Sequence, residues 1–395
     1  MARVAHQAAP AQLDLILEHL DELAFLLSRR RQALHSVRFT LRARRDLEER
    51  ILAHRDALWV AAEGARAPLE AALHSDPEHA AAAAAALLAF DDPKAIDAVL
   101  SRCGGEPAPA LGQLGEAFRL FAAERALRAL FARANEPAWT LSALDVAAFR
   151  RIPVQGLGLP PGESTPAAQA VFWRAIARTG LALERQALEA AWAHDDPALR
   201  DAAFWAAAWR GERDLSTVVR DRVVSGSPDP VAVRWLGVLG NAEDLEVLEA
   251  LCRTPSSRDA ALEAIGRLGV PRGADILLAA MKERESATSA TLGFRALTGI
   301  EPPPLPLEAP TDFDGEFVDP LPDVGKAEAA WQRQTREIGR ARRWRGGREA
   351  SPRRLFDRDI DLLTRHDITL RERAIERAEI DLELEALEAG TRAPA

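Results

Sequence analysis

The 395-residue sequence contains no tyrosine and only two cysteines. The cysteines, Cys103 and Cys252, lie far apart and in no metal-ligand spacing, so they can form neither a disulfide framework nor a cysteine-based zinc site. So few cysteines are typical of proteins in a reducing compartment. We therefore expect a cytoplasmic location.

Long apolar segments are also absent. The longest apolar run, residues 80–90, is too short and its side chains are too small to span a bilayer, so we expect no membrane insertion. The first residues, Met1-Ala2-Arg3-Val4-Ala5-His6, lack the apolar stretch of a secretory signal peptide. The net charge of −9 is spread along the chain and argues against non-specific nucleic-acid binding, which needs a cationic surface.

Alanine, in contrast, is abundant and dominates the apolar residues. Hydrophobic residues make up 48% of the chain and charged residues 28%, which is typical of a folded protein. Alanine loses no side-chain entropy in a helix, so this composition favours an all-α fold. A chain of this length is too long for one ordinary core, which indicates two or three domains or one extended array.

Residues 10–64 have the pattern of two long helices. Apolar residues recur at the spacing of one buried helical face, and they are Leu13, Ile16, Leu17, Leu20, Leu23, Ala24 and Leu27, then Leu41, Leu47, Ile51 and Leu58. This pattern predicts a helical hairpin over residues 1–65. A coiled-coil arm for a partner helix is the alternative, although it would need more sustained heptads.

Four segments in the middle of the chain repeat at a fixed period. Their closing glycines, Gly211, Gly240, Gly269 and Gly299, are spaced by 29, 29 and 30 residues. An acid–aliphatic pair follows each of the first three glycines, and these pairs are Asp214-Leu215, Asp244-Leu245 and Asp275-Ile276. Two landmarks that share one period predict stacked helical hairpins over residues 66–300.

One repeat shows how a hairpin is built. Asp229 can accept hydrogen bonds from the first turn of a helix, with Pro230 in the first helical position, where its missing N–H costs nothing. Gly240 is expected to end that helix with a positive φ. Asp76-Pro77 and Asp196-Pro197 are predicted to open helices in the same way.

The Asp-Pro, Val-Arg and closing Leu-Gly motifs of residues 190–300 resemble short bacterial HEAT repeats, and residues 66–190 resemble them more weakly. The resemblance implies an α-solenoid of stacked helical hairpins. Tetratricopeptide repeats fit poorly, because the characteristic Trp, Gly and Tyr residues of that motif are missing here.

The composition changes sharply after Gly299. Residues 301–325 contain seven prolines, seven acidic residues and no basic residue, which predicts an extended acidic linker. Residues 326–395 are predicted to be a helical segment that is first basic and then mixed in charge. Its arginines gather around one tryptophan, and the candidate partner-binding residues are Arg340, Arg342, Arg343, Trp344, Arg345 and Arg348.

Two interpretations of this basic cluster stay open. It can contact a partner, since arginine pairs with carboxylates or phosphates on proteins, nucleic acids or anionic lipids. It can also fold back onto the acidic parts of its own chain. The opposite charge blocks lie close in sequence, which favours the intramolecular contact.

Residues with catalytic or metal-binding chemistry form no recognised site. His74-Ser75-Asp76-Pro77-Glu78-His79 contains ligand-type residues, but it straddles a helix start, so the two imidazoles share no helical face. Arg365-His366-Asp367 lacks the other kinase motifs, and Gly325-Lys326 lacks the upstream glycine of a phosphate loop. We expect no catalytic residues, no cofactor, no metal site and no enzymatic activity.

Tryptophan is the remaining unusual residue, with nine copies. Trp205, Trp209 and Trp235 lie in the first helices of repeats. They can pack between hairpins, or they can serve as aromatic anchors on a binding face, where tryptophan is favoured.

Both ends of the chain resemble an uncharacterised HEAT-repeat family of proteobacteria and myxobacteria, and the resemblance covers nearly the whole chain. The similar passages are residues 16–26, the segment Gly293-Phe294-Arg295-Ala296-Leu297-Thr298-Gly299, and the end of the acidic linker at Leu321-Pro322-Asp323. Members of that family are often encoded near type VI secretion components. The resemblance implies a role in handling secreted effectors, and it carries no catalytic residue.

The sequence therefore predicts a protein-binding scaffold or adaptor, whose partner could be a secretion effector or a spike-associated protein. The alternative is a nucleic-acid-binding HEAT-like protein related to the alkyl-base DNA glycosylases. Those enzymes need a basic concave groove, whereas the repeat region here is acidic.

Overall fold

The computed structural model describes residues 10–35, 41–103, 112–150, 152–154, 156–158, 165–210, 212, 214–225, 229–305, 321–338, 344–345 and 348–349. They divide into two compact units, here called unit 1, up to Arg210, and unit 2, after Arg210. The described residues are predominantly helical, and those of residues 66–300 include no β-strand. The all-α prediction is confirmed at this level.

Unit 1 consists of eleven helices among its described residues. They are α1 Pro10–His35, α2 Leu41–Val60, α3 Ala62–Ala72, α4 Pro77–Ala89, α5 Pro93–Cys103, α6 Gly112–Phe121, α7 Glu124–Ala132, α8 Pro137–Arg150, α9 Pro166–Thr179, α10 Arg185–Ala193 and α11 Pro197–Arg210.

The alanine-rich helix α4 lies at the centre of the first half of unit 1. Residues 80–88 are all buried, and α4 packs against α1, α2, α3, α5 and α6. A helix that is apolar on every side must be covered on every side. Alanine side chains are short, so the surrounding helices can approach α4 closely.

Helices α1 and α2 pack against each other, and α1 also packs against α3 and α4. Ile16, Leu20 and Leu23 are buried as predicted, whereas Leu13 and Leu17 are exposed. The buried face of α1 also includes residues 26 and 33, so it is rotated away from the predicted stripe. The additional contacts with α3 and α4 explain the rotation, because they cover a side of α1 that a simple two-helix hairpin leaves open.

Unit 2 contains seven helices and one two-residue strand pair among its described residues. These elements are α12 Leu215–Val224, α13 Pro230–Leu239, α14 Asp244–Leu251, α15 Arg258–Leu268, α16 Gly273–Ala280, α17 Ala287–Thr298, α18 Val324–Ile338, β1 Trp344–Arg345 and β2 Arg348–Glu349.

Alternate helices of unit 2 pack in a row. Helix α13 contacts α15 and α15 contacts α17, while α12, α14 and α16 pack beside them. Three glycines make the close approach possible. A Cβ on Gly237 would lie 2.6 Å from Ala264 Cα, and one on Gly266 would lie 2.2 Å from the Gly293 carbonyl oxygen.

The Asp-Pro pairs open helices as predicted. The carboxylates of Asp76, Asp196 and Asp229 accept hydrogen bonds of 2.9–3.1 Å from backbone N–H groups in the first turns of α4, α11 and α13. Each helix has proline as its first residue. The caps satisfy N–H groups that would otherwise lack an intrahelical partner.

The prediction for Gly240 was wrong. Gly269 and Gly299 have left-handed backbones with φ of 78° and 71°, but Gly240 has φ −69° and ψ 170°. Asp244 Oδ2 accepts from the backbone N–H of Asn241 at 2.7 Å and so closes the turn in another way. Glycine is still needed at position 240, because a Cβ there would lie 2.4 Å from the Leu236 carbonyl oxygen.

Residues 301–325 were predicted to be a linker, and backbone hydrogen bonds join its two described ends. The N–H of Leu305 donates to the Leu321 carbonyl oxygen and that of Asp323 donates to the Pro303 carbonyl oxygen, both at 2.7 Å. Proline has no N–H, so the donors come from its neighbours. The ends therefore form an antiparallel bridge, and residues 306–320 lie outside the described residues.

The segment around Trp344 also differs from the helix predicted there. Trp344 pairs with Glu349, and Arg345 pairs with Arg348, in an antiparallel arrangement. Gly346-Gly347 lies between the two strands in the sequence, and such a pair favours two-residue hairpin loops. The local turn preference therefore competes with the helical pattern on either side.

Candidate binding cavity

A cavity of about 630 Å³ opens in unit 1, and it is called the unit 1 cavity below. Its size lies within the usual range for sites that hold a small molecule or a few side chains. Charged groups on its lining are Arg30, Glu48, Arg55, Asp56 and Arg150. Its larger apolar groups are Ile51, Leu52, Trp59, Val60, Leu120 and Phe121.

Helix α2 supplies half of the residues of this lining. Its contributing residues recur every three or four positions on one helical face, and they are Glu48, Ile51, Leu52, Arg55, Asp56, Trp59 and Val60. Arg30 comes from α1, Phe121 from the end of α6, and Arg150 from the end of α8. Ala89 comes from the end of α4, so five helices build one site.

A buried ion-pair network lies at one side of the cavity. Arg30 donates from Nε to Glu48 Oε1 at 3.3 Å and from Nη1 to Glu116 Oε1 at 3.0 Å. Arg31 donates to the second oxygen of Glu116 at 3.0 Å. Arg30 is only 4% exposed, so these carboxylates must compensate a charge that has lost most of its hydration.

A second buried guanidinium belongs to Arg55. Its carbon atom Cζ lies 5.6 Å from the ring centroid of Phe121, within the range of a cation–π contact. Its Nε donates to Asp56 Oδ1 at 2.9 Å. Arg55 is thus held by a carboxylate and an aromatic face at the same time.

The cavity has an exposed apolar margin. Trp59 is 54% exposed and Val60 is 79% exposed, and both line the cavity at the end of α2. A large aromatic ring left in water beside a concave site is typical of a surface that another molecule covers.

Three of the predicted partner-binding residues, Trp344, Arg345 and Arg348, belong to the described part of unit 2. Trp344 is 1% exposed, its N–H donates to the Gly269 carbonyl oxygen at 2.6 Å, and its ring contacts Trp331 edge to face. Its indole is therefore covered by its own chain. Arg345 and Arg348 lie in β1 and β2, but their side chains, and all of Arg340, Arg342 and Arg343, fall outside the described residues.

The tryptophans of the repeats pack internally where they are described. Trp205 and Trp235 are both buried, as expected for residues between helices. Arg178 lies over the Trp205 ring at 5.1 Å. The side chain of Trp209 lies outside the described residues.

In the segment 74–79, which has residue types that can bind metals, His79 links α4 to α1. His79 Nδ1 lies 2.7 Å from Asp76 Oδ2, and its Nε2 lies 3.0 Å from Asp21 Oδ1 on α1. The two carboxylates lie against opposite nitrogens of the ring, so they cannot share one ion with it. Within the described part of the chain, no three His, Cys, Asp or Glu side chains gather in a way that could hold a metal.

Cys252 lies in unit 2 and is partly buried. Burial, with a smaller effect from nearby Glu249, raises the pKa of its thiol to about 11. The thiol therefore stays protonated at neutral pH, and only the thiolate is a strong nucleophile.

The unit 1 cavity was not predicted from the sequence. The available signal was the face of α2, where Glu48 and Arg55 interrupt an apolar stripe that ends in Trp59. Charged residues at positions expected to be buried indicate either a paired network or a ligand site.

Comparisons of the chain with protein-family models, with curated proteins and with solved structures give no match in any of the three cases. In the ranges that the structure describes, every helix is too short or too polar to cross a membrane.

Proposed function

We propose that this protein is a non-enzymatic scaffold or adaptor that binds another protein in the cytoplasm. In this proposal its helices form an α-solenoid of HEAT-like repeats over residues 66–300. The regular starts of α12, α14 and α16 at residues 215, 244 and 273 support that architecture. Helical-repeat proteins commonly bind partners along extended surfaces of this kind.

The observation that supports partner binding best is the exposed margin of the unit 1 cavity. Trp59 and Val60 present a large apolar area next to a concave site whose inner walls include Phe121 and Leu120. Tryptophan in such a position can contribute much of the binding free energy of an interface, because its ring buries a large area when a partner covers it.

Affinity purification of the tagged full-length protein from its own host tests the proposal. Val60→Asp places a charge in the middle of the proposed contact and should strongly reduce the amount of the specifically captured partner. Trp59→Ser should do the same, because it removes the aromatic contact.

Val224→Asp is the matched control. Val224 is the last residue of α12, as Val60 is the last residue of α2, and it is 64% exposed. Its substitution adds the same charge at an exposed helix end in unit 2. Equal capture by wild type, Val60→Asp and Val224→Asp would rule out the cavity margin as the partner site.

The resemblance to the bacterial HEAT-repeat family suggests where the partner comes from. A secretion effector or a spike-associated protein of a type VI system is the proposed partner, and identification of the captured protein by mass spectrometry tests this directly. The arginines around Trp344 are a second proposed contact, separate from the unit 1 cavity.

A further inference from the structure

Two histidines face each other across the packed helices α1 and α2, away from the residues that line the unit 1 cavity. His19 lies on α1 and His54 on α2, and their Nδ1 atoms are 3.0 Å apart. The centroids of the two rings are 5.1 Å apart, and the rings meet edge to face. Both residues are partly buried, so the helices hold the imidazoles in place while solvent still reaches them.

The separation of the two Nδ1 atoms suits a single metal ion. Zinc and similar ions bind imidazole nitrogen at about 2.0–2.1 Å. Two nitrogens 3.0 Å apart would then subtend an angle of about 95° at the ion. This angle is close to the roughly 90° between neighbouring ligands in square-planar or octahedral sites, the geometries of Cu²⁺ and Ni²⁺, for which imidazole is a suitable ligand.

Without an ion, the same two atoms form a hydrogen bond. In the neutral pair one Nδ1–H donates to the other Nδ1, so one ring already presents an Nδ1 lone pair. The second ring can bind an ion after its proton moves to Nε2, a change of tautomer that releases no proton. Burial, and then the charge of His19, lowers the pKa of His54, so at neutral pH His54 is in the neutral form that binds metals.

The charges around the pair favour a cation. Residues 10–28 contain four acidic residues and no lysine or arginine. Glu18 and Glu22 of α1 lie close enough to His54 to oppose the lowering of its pKa. Arg50 is the nearby positive charge, and it pairs with Glu22 at 3.8 Å. A divalent ion at the histidine pair would therefore be attracted more than repelled.

We propose that His19 and His54 bind one divalent transition-metal ion, Cu²⁺ or Ni²⁺, through their Nδ1 atoms. In the part of the chain that the structure describes, no third His, Cys, Asp or Glu side chain joins them in a ligand cluster, so water would fill the remaining coordination positions. The bound ion would link α1 to α2. This site is independent of the proposed protein-binding function.

Isothermal titration calorimetry of the untagged full-length protein with NiCl₂ tests the proposal. We expect saturable binding of one Ni²⁺ per chain. His19→Gln and His54→Gln should each weaken this binding at least tenfold, because even the loss of a group that orients a metal ligand typically costs about 10–100-fold in affinity. His74→Gln is the matched control, since it removes an exposed histidine of unit 1 outside the pair, and it should bind Ni²⁺ as wild type does.

Electron paramagnetic resonance of the protein loaded with one equivalent of Cu²⁺ gives a second measurement, which reports the ligands directly. Wild type should show hyperfine splitting from two imidazole nitrogens, and each single variant of the pair should show splitting from one fewer nitrogen. Circular dichroism at the same temperature checks that each variant is folded.

Three results would overturn the site. They are the absence of saturable Ni²⁺ binding, an equal loss of affinity in His74→Gln, and a loss in only one of the two pair variants, which would indicate binding by a single imidazole. Partner capture provides no test of this site. If Val60→Asp leaves capture unchanged while both pair variants lose Ni²⁺, the proposed function fails and the metal site stands.

Discussion

The backbone N–H of Trp344 donates a 2.6 Å hydrogen bond to the carbonyl oxygen of Gly269, at the end of α15. Gly269 has a left-handed backbone with φ 78°, and a Cβ at this position would lie 2.3 Å from the Trp344 carbonyl oxygen. Glycine is therefore required here both by conformation and by the close approach of β1. The contact attaches the strand pair to unit 2 and places the Trp344 ring against Trp331 of α18.

Gly269→Ala should destabilise the protein and release Trp344. A left-handed backbone costs alanine about 1–2 kcal/mol, and the clash with Trp344 should add to this loss. Urea unfolding measures the free energy, and tryptophan fluorescence reports whether Trp344 becomes exposed.

Gly180→Ala is the control for the Gly269 substitution. Gly180 also ends a helix with a left-handed backbone, φ 77°, but a Cβ there would meet nothing within 4 Å. Gly180→Ala should therefore lower the free energy of unfolding only by the cost of a left-handed backbone at alanine. Equal losses in the two variants would contradict a steric role for the Trp344 contact.

Gly266→Ala should also destabilise the protein, although alanine is the better helix former. A Cβ on Gly266 would lie 2.2 Å from the carbonyl oxygen of Gly293, so α15 and α17 would have to separate. We expect a loss of about 1–3 kcal/mol, which is typical of overpacking. Thermal and urea unfolding measure it.

Gly115→Ala provides the opposite case. Gly115 lies within α6, and a Cβ there would meet nothing within 4 Å. Its replacement should stabilise the protein by up to about 1 kcal/mol, because only helix propensity changes. If Gly266→Ala were equally stabilising, the close packing of α15 on α17 would be refuted.

The link between α1 and α4 should weaken as the pH rises. Burial opposes the charged form of His79, but its hydrogen bonds to Asp21 and Asp76 outweigh burial, so its pKa is raised above 6.5. The folded state therefore binds the proton more tightly than the unfolded chain. The stabilisation is complete below pH 6.5 and is lost as the pH rises through the raised pKa. The difference in unfolding free energy between wild type and His79→Gln should be larger at pH 6 than at pH 9.

His54 should show the opposite pH dependence. Burial, and then the charge of His19, lowers the pKa of His54 below 6.5, and the His19 and His54 Nδ1 atoms lie 3.0 Å apart. Protonation of His54 therefore disfavours the folded state as the pH falls below 6.5. Wild type should lose stability relative to His54→Gln on acidification, and parallel curves for the two histidine variants would contradict these assignments.

The arginines beside Trp344 should affect partner capture more than stability. Replacing Arg342, Arg343 and Arg345 with glutamate reverses the local charge and removes guanidinium groups that can pair with carboxylates. We expect strongly reduced partner capture with nearly unchanged helical circular dichroism and melting.

A second triple variant controls for the change in net charge. Arg253, Lys282 and Arg284 are exposed in unit 2, and their replacement with glutamate changes the net charge equally. This variant should capture the partner as wild type does. The variant of Arg342, Arg343 and Arg345 could instead melt at a lower temperature and lose partner capture only in proportion to the fraction unfolded. In that case its arginines stabilise their own unit and do not contact the partner.

The sequence alone determined the features that depend on neighbours within a few residues. Asp76, Asp196 and Asp229 cap helices because each carboxylate needs only the N–H groups two or three positions ahead. The helical composition and the starts of the repeat helices follow from similarly local preferences.

Contacts between distant residues were decided only by the tertiary structure. The pattern of α1 indicated a buried face, but packing with α3 and α4 rotated that face and left Leu13 and Leu17 exposed. Trp344, read as a partner-binding residue among arginines, is covered by its own unit. The Gly240 turn is closed by Asp244 of α14. The same carboxylate pairs with Arg220, which lies in another helix, α12.

The unit 1 cavity depends on tertiary structure most strongly. Arg30 and Glu116 are separated by 86 residues, yet their charged atoms lie 3.0 Å apart. Helical periodicity shows that a side chain faces inward, but the identity of its partner depends on how other helices pack around it. Local propensity acts over one or two turns, whereas burial and charge pairing act between whichever groups the packed fold brings together.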